Sequence, residues 1–182
     1  RRGRRAMTTP RTRILVVDDD ENNIFTLERR LRQFADADIS SARDGRAAIG
    51  ALGAGPFDLV LLDMRMPEMD GMAVLERMKA DMALRDIPVI MVSAVDDFET
   101  VLKCIKLGAE DYVPKPFNPD LLRARVEAAL ERKRLRDQEA GFLAQLQAEK
   151  ARVNDLLHSV LPKSVVSELM ASARLVPRRH DE

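Results

Sequence analysis

Short apolar segments alternate along the chain with segments whose apolar residues recur at helical spacing. The short segments, which we predict as strands, lie at residues 13–17, 39–42, 59–62, 89–92 and 111–113. The segment after the first strand shows the three- and four-residue spacing of one helical face, at Ile24, Phe25, Leu27, Leu31 and Phe34. Five strands that alternate with helices predict an α/β domain, in which right-handed crossovers place helices on both faces of a parallel sheet.

The third predicted strand is the most apolar of the five and leads directly into a carboxylate. Residues 59–62 read Leu-Val-Leu-Leu, and they are followed by Asp63 and then by Met-Arg-Met-Pro. An unbroken apolar run of this length is typical of a strand that is buried on both faces of a parallel sheet. Asp63 is therefore predicted at the carboxyl end of a central strand, where open α/β sheets form their sites.

Polar residues follow the other predicted strands at the same edge of the sheet. Asp18 and Asp19 follow the first strand, Ser93 follows the fourth, and Lys115 follows the fifth. Three carboxylates in one crevice repel each other unless a cation lies among them, and oxygen ligands without His or Cys favour Mg²⁺. Asp63 would then attack a phosphoryl group while Lys115 neutralises charge and Ser93 donates a hydrogen bond. Taken alone, the acidic cluster at residues 18–20 would equally suit the N-terminus of a helix.

The charge distribution bears on the partners that the chain can bind. The formal net charge is zero, but residues 1–12 carry +5, residues 13–118 carry −7 from 13 bases and 20 acids, and residues 119–182 carry +2. An acidic central module is unsuited to nucleic acid, and we read the basic start as a disordered leader. Apolar runs are too short for a membrane span, and a single cysteine, Cys104, fits a reducing cytoplasm, so we expect a cytoplasmic protein.

Four motifs together resemble the receiver domain of two-component response regulators. They are ILVVDDDEN, DLVLLDMRMPEMDG, PVIMVSA and DYVPKPF, and the resemblance covers roughly residues 13–130. The resemblance implies a flavodoxin-like sheet of five strands and an aspartate, Asp63, that accepts phosphate from a histidine kinase or a phosphotransfer protein. It also implies that Mg²⁺ is held by Asp18, Asp19, Asp63 and the backbone carbonyl of Arg65.

The same resemblance assigns the remaining polar residues of the crevice. Ser93 would be the switch hydroxyl, in a position where the family often has Thr, and Lys115 would pair with the phosphate. Tyr112 would be the aromatic residue that rotates inward when Ser93 engages phosphate. Without the resemblance, an aromatic residue in an edge strand is most often a packing residue.

Residues 119–161 have the composition of one long helix, with one Gly and many Arg, Glu, Ala, Leu and Gln. A four-three repeat within it runs through Leu135, Glu139, Phe142, Leu146, Glu149, Val153, Leu156 and Val160. This repeat predicts a coiled-coil seam over 131–161 that forms a parallel homodimer. The alternative is an amphipathic helix that folds back onto its own receiver domain.

Residues 162–182 predict a short helix, which starts at Pro162 and has Val165, Val166, Leu169 and Met170 on one face. The segment resembles the linker that precedes the catalytic domain of class III nucleotide cyclases, and similar linkers precede some PP2C-type phosphatases. We therefore expect a receiver whose phosphorylation controls a dimeric helical linker to a cyclase-like output.

Two other interpretations belong to different functional classes. Asp18-x-Asp20 after a strand is similar to the motif of haloacid-dehalogenase-type phosphatases, which would make Asp18 a nucleophile. Asn22 departs from that motif, and the interpretation leaves Asp63 without a role. A dimerisation scaffold that no longer signals would be unaffected by Asp63→Asn, whereas the complete acidic set favours a working receiver.

Overall fold

The computed structural model describes residues 11–94 and 98–160, the last four of them in backbone only. It contains five strands and five helices in strict alternation: β1 Thr12–Val17, α1 Glu21–Phe34, β2 Ala37–Ala42, α2 Gly45–Ala54, β3 Leu59–Asp63, α3 Gly71–Ala80, β4 Val89–Ser93, α4 Phe98–Lys106, β5 Asp111–Pro114 and α5 Pro119–Val160. Residues 1–10 of the basic leader predicted over 1–12, and the short helix predicted in residues 162–182, lie outside the described residues. Thr12, the last residue of the predicted leader, is the first residue of β1.

The five strands form one parallel sheet in the order β2-β1-β3-β4-β5. The central strand is β3, and all five of its residues are buried. Its register pairs Leu62 with Val17 of β1 and Asp63 with Val92 of β4. The predicted flavodoxin-like α/β fold is therefore confirmed, and Asp63 stands at the carboxyl end of the central strand as expected.

Alternating residues of the strands face two separate cores, one on each side of the sheet. Leu15 and Leu62 belong to the core that is covered by α2, α3 and α4, whereas Ile14 and Leu61 belong to the core covered by α1 and the start of α5. Each of these side chains is fully buried, which contributes about 1.5–3 kcal/mol per residue. The apolar runs of the sequence are thus explained by burial on both faces of the strands.

The loop between β3 and α3 is closed by a glycine that packs against the strand it follows. Asp70 is the N-cap of α3, and its side chain accepts a hydrogen bond from the Ala73 N–H at 2.8 Å. The Gly71 N–H donates to the Met64 carbonyl at 2.9 Å. A Cβ atom on Gly71 would lie 2.2 Å from the backbone oxygen of Asp63. Only glycine fits this approach, so the start of α3 is held directly against the end of β3.

Two helices, α1 and α4, leave large apolar side chains exposed. Phe25 of α1 is 66% exposed, and Leu102 and Ile105 of α4 are 39% and 43% exposed. Phe25 follows the buried Ile24, and adjacent helical residues point in different directions, so only one of the two faces the core. In α4 the small Cys104 occupies the core instead, with its thiol 3.3 Å from the sulfur of Met72.

Helix α5 begins in one compact unit of the chain and continues in a second one. The first unit ends at Arg134, and the second begins at Leu135. In the second unit the large apolar side chains described up to residue 156 are exposed: Leu135, Phe142, Leu143, Leu146, Val153 and Leu156. Within residues 11–94 and 98–160, no helix combines the length and apolarity that crossing a membrane requires.

Candidate functional site

The carboxyl ends of four neighbouring strands deliver the polar residues of one crevice. Asp18 follows β1, Asp63 ends β3, Ser93 ends β4, and Lys115 follows β5. Because β1, β3, β4 and β5 are adjacent in the sheet, their ends lie side by side. Three of these side chains are almost inaccessible to solvent, with Asp18 and Ser93 1% exposed and Asp63 5% exposed. Buried polar groups of this kind need partners, and the crevice supplies them.

Three carboxylates lie close together in the crevice. Asp18, Asp19 and Asp63 each place a carboxylate oxygen within 4.8 Å of the others. Two of them are buried, while Asp19 is exposed at the mouth. A set of hard oxygen ligands that includes an exposed member fits Mg²⁺, which is usually bound through few carboxylates and keeps several waters. The donor set is therefore chemically suited to the cation that the sequence predicts.

Lys115 lies between the two buried carboxylates. Its Nζ is 2.7 Å from Asp18 Oδ2 and 2.8 Å from Asp63 Oδ1, and its side chain is itself largely buried. Burial alone would lower the pKa of Lys115, but the hydrogen bonds and the charges of Asp18 and Asp63 outweigh burial and raise that pKa. The ammonium group therefore remains charged and partly neutralises the cluster.

Asp63 has a raised pKa in this environment. Burial is the main cause, since it disfavours the ionised carboxylate, and the nearby charge of Asp18 acts in the same direction. The hydrogen bond and the positive charge of Lys115 oppose these effects, as does the backbone N–H of Met64. Ionising Asp63 in the metal-free protein therefore costs more free energy than ionising a carboxyl group in water. Additional positive charge in the crevice would reduce that cost.

Asn23 also belongs to the site, although no pattern in the sequence marks it. Its Nδ2 donates to Asp18 Oδ1 at 3.0 Å, and the backbone N–H of Asp20 donates to the same oxygen at 3.0 Å. Asn23 lies in the first turn of α1, three residues after the N-cap Asp20. An asparagine at that position carries no motif that would have distinguished it in the sequence from the adjacent Asn22.

Ser93 and Tyr112 are connected through the backbone of β4. The carbonyl oxygen of Ser93 accepts hydrogen bonds from the backbone N–H of Lys115 at 2.8 Å and from the Tyr112 hydroxyl at 3.1 Å. Tyr112 is half-buried and packs against the core that α2, α3 and α4 cover. The structure thus brings Ser93, Lys115 and Tyr112 to the same side of Asp63. The predicted inward rotation of Tyr112 stays a prediction.

Arg65 lies in the loop that joins β3 to α3, two residues after Asp63. Its side chain is exposed. The loop is bounded by Asp63 on one side and by the close contact at Gly71 on the other. Ligation of a cation by the Arg65 carbonyl stays a prediction from the family resemblance.

The order of the sheet, with an acidic crevice at its carboxyl edge, defines a flavodoxin-like α/β domain. A profile of the response regulator receiver domain matches residues 14–127. The chain therefore belongs to the response regulator receiver family.

Individual relatives agree with this assignment over the same part of the chain. A protein of Vibrio cholerae named as a probable cyclic di-GMP phosphodiesterase is 40% identical over 68% of this chain and 28% of its own length. The response regulator PleD of Caulobacter vibrioides is 38% identical over 64% of this chain and 25% of its own. The chain spans less than half the length of these curated relatives. A Francisella response regulator receiver domain is 30% identical, with a TM-score of 0.61 over 66% of this chain and 98% of that one.

Proposed function

We propose that Asp63 accepts a phosphoryl group from a histidine kinase or phosphotransfer protein in a reaction that requires Mg²⁺. The observation that carries this proposal is the position of Lys115 between Asp18 and Asp63, in a cluster of three carboxylates at the carboxyl edge of the sheet. Buried acidic clusters with an internal lysine are costly to maintain, so their presence favours a functional role over a structural one.

The proposed transfer uses the side chains of the crevice in distinct roles. A carboxylate oxygen of Asp63 forms a bond to phosphorus while the P–N bond of the donor phosphohistidine breaks. The electron pair of that bond stays on the imidazole nitrogen, which takes up a proton. Mg²⁺ held by Asp18, Asp19 and Asp63 would supply positive charge near the phosphoryl oxygens. Lys115 pairs with one of those oxygens, and the Ser93 hydroxyl donates a hydrogen bond to another.

Intact mass after incubation with Mg²⁺ and acetyl phosphate tests this function. The wild-type chain is expected to gain one phosphoryl group, and Asp63→Asn is expected to gain none. Asp58→Asn is a matched control, because Asp58 precedes the same strand but hydrogen-bonds the Arg13 N–H at the opposite edge of the sheet. An adduct on both Asn variants would exclude Asp63 as the acceptor. If a control receiver is labelled under these conditions and the wild-type chain is not, the scaffold interpretation is favoured.

The second part of the proposal is that α5 pairs with the same helix of a second copy. The support comes from the exposed apolar residues of the four-three repeat, which include Leu135, Phe142, Leu146, Val153 and Leu156. Their exposure leaves an apolar stripe of coiled-coil spacing that a partner helix would cover. Val160, the last member of the predicted seam, lies in α5, but its side chain is outside the described residues.

The third part concerns the output that the linker controls. The resemblance of residues 162–182 to cyclase linkers supports a nucleotide cyclase, with a PP2C-type phosphatase as the alternative. A chimera of residues 1–182 with a class III cyclase catalytic domain tests this output. Cyclic nucleotide formation is expected to change on adding acetyl phosphate to the wild-type chimera and to remain constant in the Asp63→Asn chimera. Activity that is insensitive to acetyl phosphate in both chimeras would contradict the proposed output.

A further inference from the structure

The two oxygens of the Asp18 carboxylate have different partners. Oδ1 accepts hydrogen bonds from the Asp20 N–H and from Asn23 Nδ2, both at 3.0 Å. Oδ2 accepts one from Lys115 Nζ at 2.7 Å. Both lone pairs of Oδ1 are therefore engaged by donors from α1 and the turn before it. Oδ2 instead contacts Lys115 Nζ, which also contacts Asp63 Oδ1.

The first turn of α1 explains how this division arises. In a capping box, the side chain three residues after the N-cap accepts a hydrogen bond from the backbone N–H of the N-cap residue. In this protein the N-cap residue is Asp20, and its backbone N–H donates instead to Asp18 Oδ1. Asp18 therefore replaces the usual acceptor of the capping box. Asn23, which holds the position of the usual acceptor, is free to donate to the same oxygen. The carboxylate of Asp18 is thereby fixed in rotation by two groups of the α1 terminus.

We propose that Asn23 is a positioning residue that makes the site select Mg²⁺ over Ca²⁺. This inference rests on the proposed Mg²⁺ site of Asp18, Asp19 and Asp63. Because Oδ1 is occupied by two donors and one lone pair of Oδ2 by Lys115 Nζ, Asp18 can offer a cation only the second lone pair of Oδ2. One oxygen per carboxylate suits Mg²⁺, which binds few carboxylates in a near-octahedral arrangement. Ca²⁺ takes six to eight oxygens and often binds a carboxylate through both of its oxygens, which this arrangement prevents at Asp18.

Cation titrations of the full chain without a phosphodonor test the inference. Backbone amide shifts of residues 18–23 and 63–66 give the dissociation constants for Mg²⁺ and for Ca²⁺. Asn23→Ala is compared with the wild type and with Asn22→Ala, since Asn22 is the exposed neighbour in the same helical turn. Asn23→Leu is a second test variant, because it keeps the approximate size of Asn23 but has no donor. A melting curve of each variant establishes that it is folded.

Asn23→Ala and Asn23→Leu are each expected to weaken Mg²⁺ binding about ten-fold, the usual effect of losing a group that orients a metal ligand. Ca²⁺ binding should weaken less, because Asp18 gains freedom to bind through both oxygens. The preference for Mg²⁺ then falls, and Asn22→Ala retains it. If the binding of both cations weakens equally, or if the preference for Mg²⁺ over Ca²⁺ is unchanged, Asn23 does not set the selectivity. A wild-type chain that binds neither cation would refute the proposed metal site itself.

Discussion

Gly71→Ala is expected to disturb the crevice more strongly than the addition of one methyl group would suggest. The new Cβ would lie 2.2 Å from the backbone oxygen of Asp63 and 3.0 Å from the Met64 Cα. A carbon and a carbonyl oxygen ordinarily approach no closer than about 3.3 Å, so the start of α3 and the end of β3 must separate by roughly 1 Å. That displacement falls directly on the residue that we propose as the phosphoryl acceptor.

Two magnitudes follow from this displacement. Overpacking costs about 1–3 kcal/mol, and the smaller conformational entropy of unfolded alanine offsets about 0.4–1 kcal/mol of that cost. The free energy of unfolding should therefore fall by about 1–2 kcal/mol. The rate of phosphorylation should fall about 100-fold, since a misplacement of about 1 Å has an effect of that order on a positioned reaction.

Gly50→Ala in α2 is the matched control. No atom lies within 4 Å of the position that its Cβ would take, so the substitution should stabilise the helix by about 0.5–1 kcal/mol. Tyr112 is the only tyrosine in a chain without tryptophan, so its fluorescence reports urea unfolding of the receiver. The rate of phosphorylation is measured from labelling by acetyl phosphate. A Gly71→Ala protein that unfolds like Gly50→Ala and is labelled at the wild-type rate would refute the reasoning.

Three further outcomes are expected. Burial raises the pKa of Asp63 above its ordinary value of 3.8, so the protonated form of Asp63 favours the folded state. This contribution to the free energy of unfolding is complete below pH 3.8 and is lost as the pH rises through the folded-state pKa. Urea unfolding in EDTA across this range should show that loss in the wild type and a flatter profile in Asp63→Asn. Tyr112→Phe removes the hydrogen bond to Ser93 and should lower the free energy of unfolding by about 1 kcal/mol, as thermal denaturation can measure. Leu146→Glu should abolish self-association in analytical ultracentrifugation without changing acetyl phosphate labelling, whereas dimers that persist would contradict the proposed seam.

The fold and the general position of the site could be predicted from the sequence because both depend on simple patterns. Strands buried on both faces require continuous apolar runs, and the run before Asp63 marked the central strand. Once five strands alternate with helices, their carboxyl ends must lie at one edge, which brought Asp18, Ser93 and Lys115 to the same crevice as Asp63. The family resemblance led to the same residues independently.

Side-chain detail could not be predicted in the same way. Helical periodicity predicts which residues share a face, but it does not show how far the core covers that face. Phe25 belongs to the predicted face of α1 and is nevertheless 66% exposed. The contact of Asn23 with Asp18 depends on the rotation of one carboxylate and on the geometry of one helix terminus. The close approach at Gly71 depends on backbone positions that are set only when β3 and α3 pack together.

The edge position of β2 determines where foreign sequence can be added to this receiver. The described link between β2 and the acidic crevice is a backbone hydrogen bond from the Asp18 N–H to the Ala42 carbonyl at the end of the strand. The N-terminal end of β2 follows the exposed Asp36 and lies at the opposite end of the strand from the crevice. A reporter tag or a recognition loop inserted before β2 would therefore leave the pairing of β1, β3, β4 and β5 intact. The α1–β2 turn is thus the natural insertion point for building a labelled sensor from this chain.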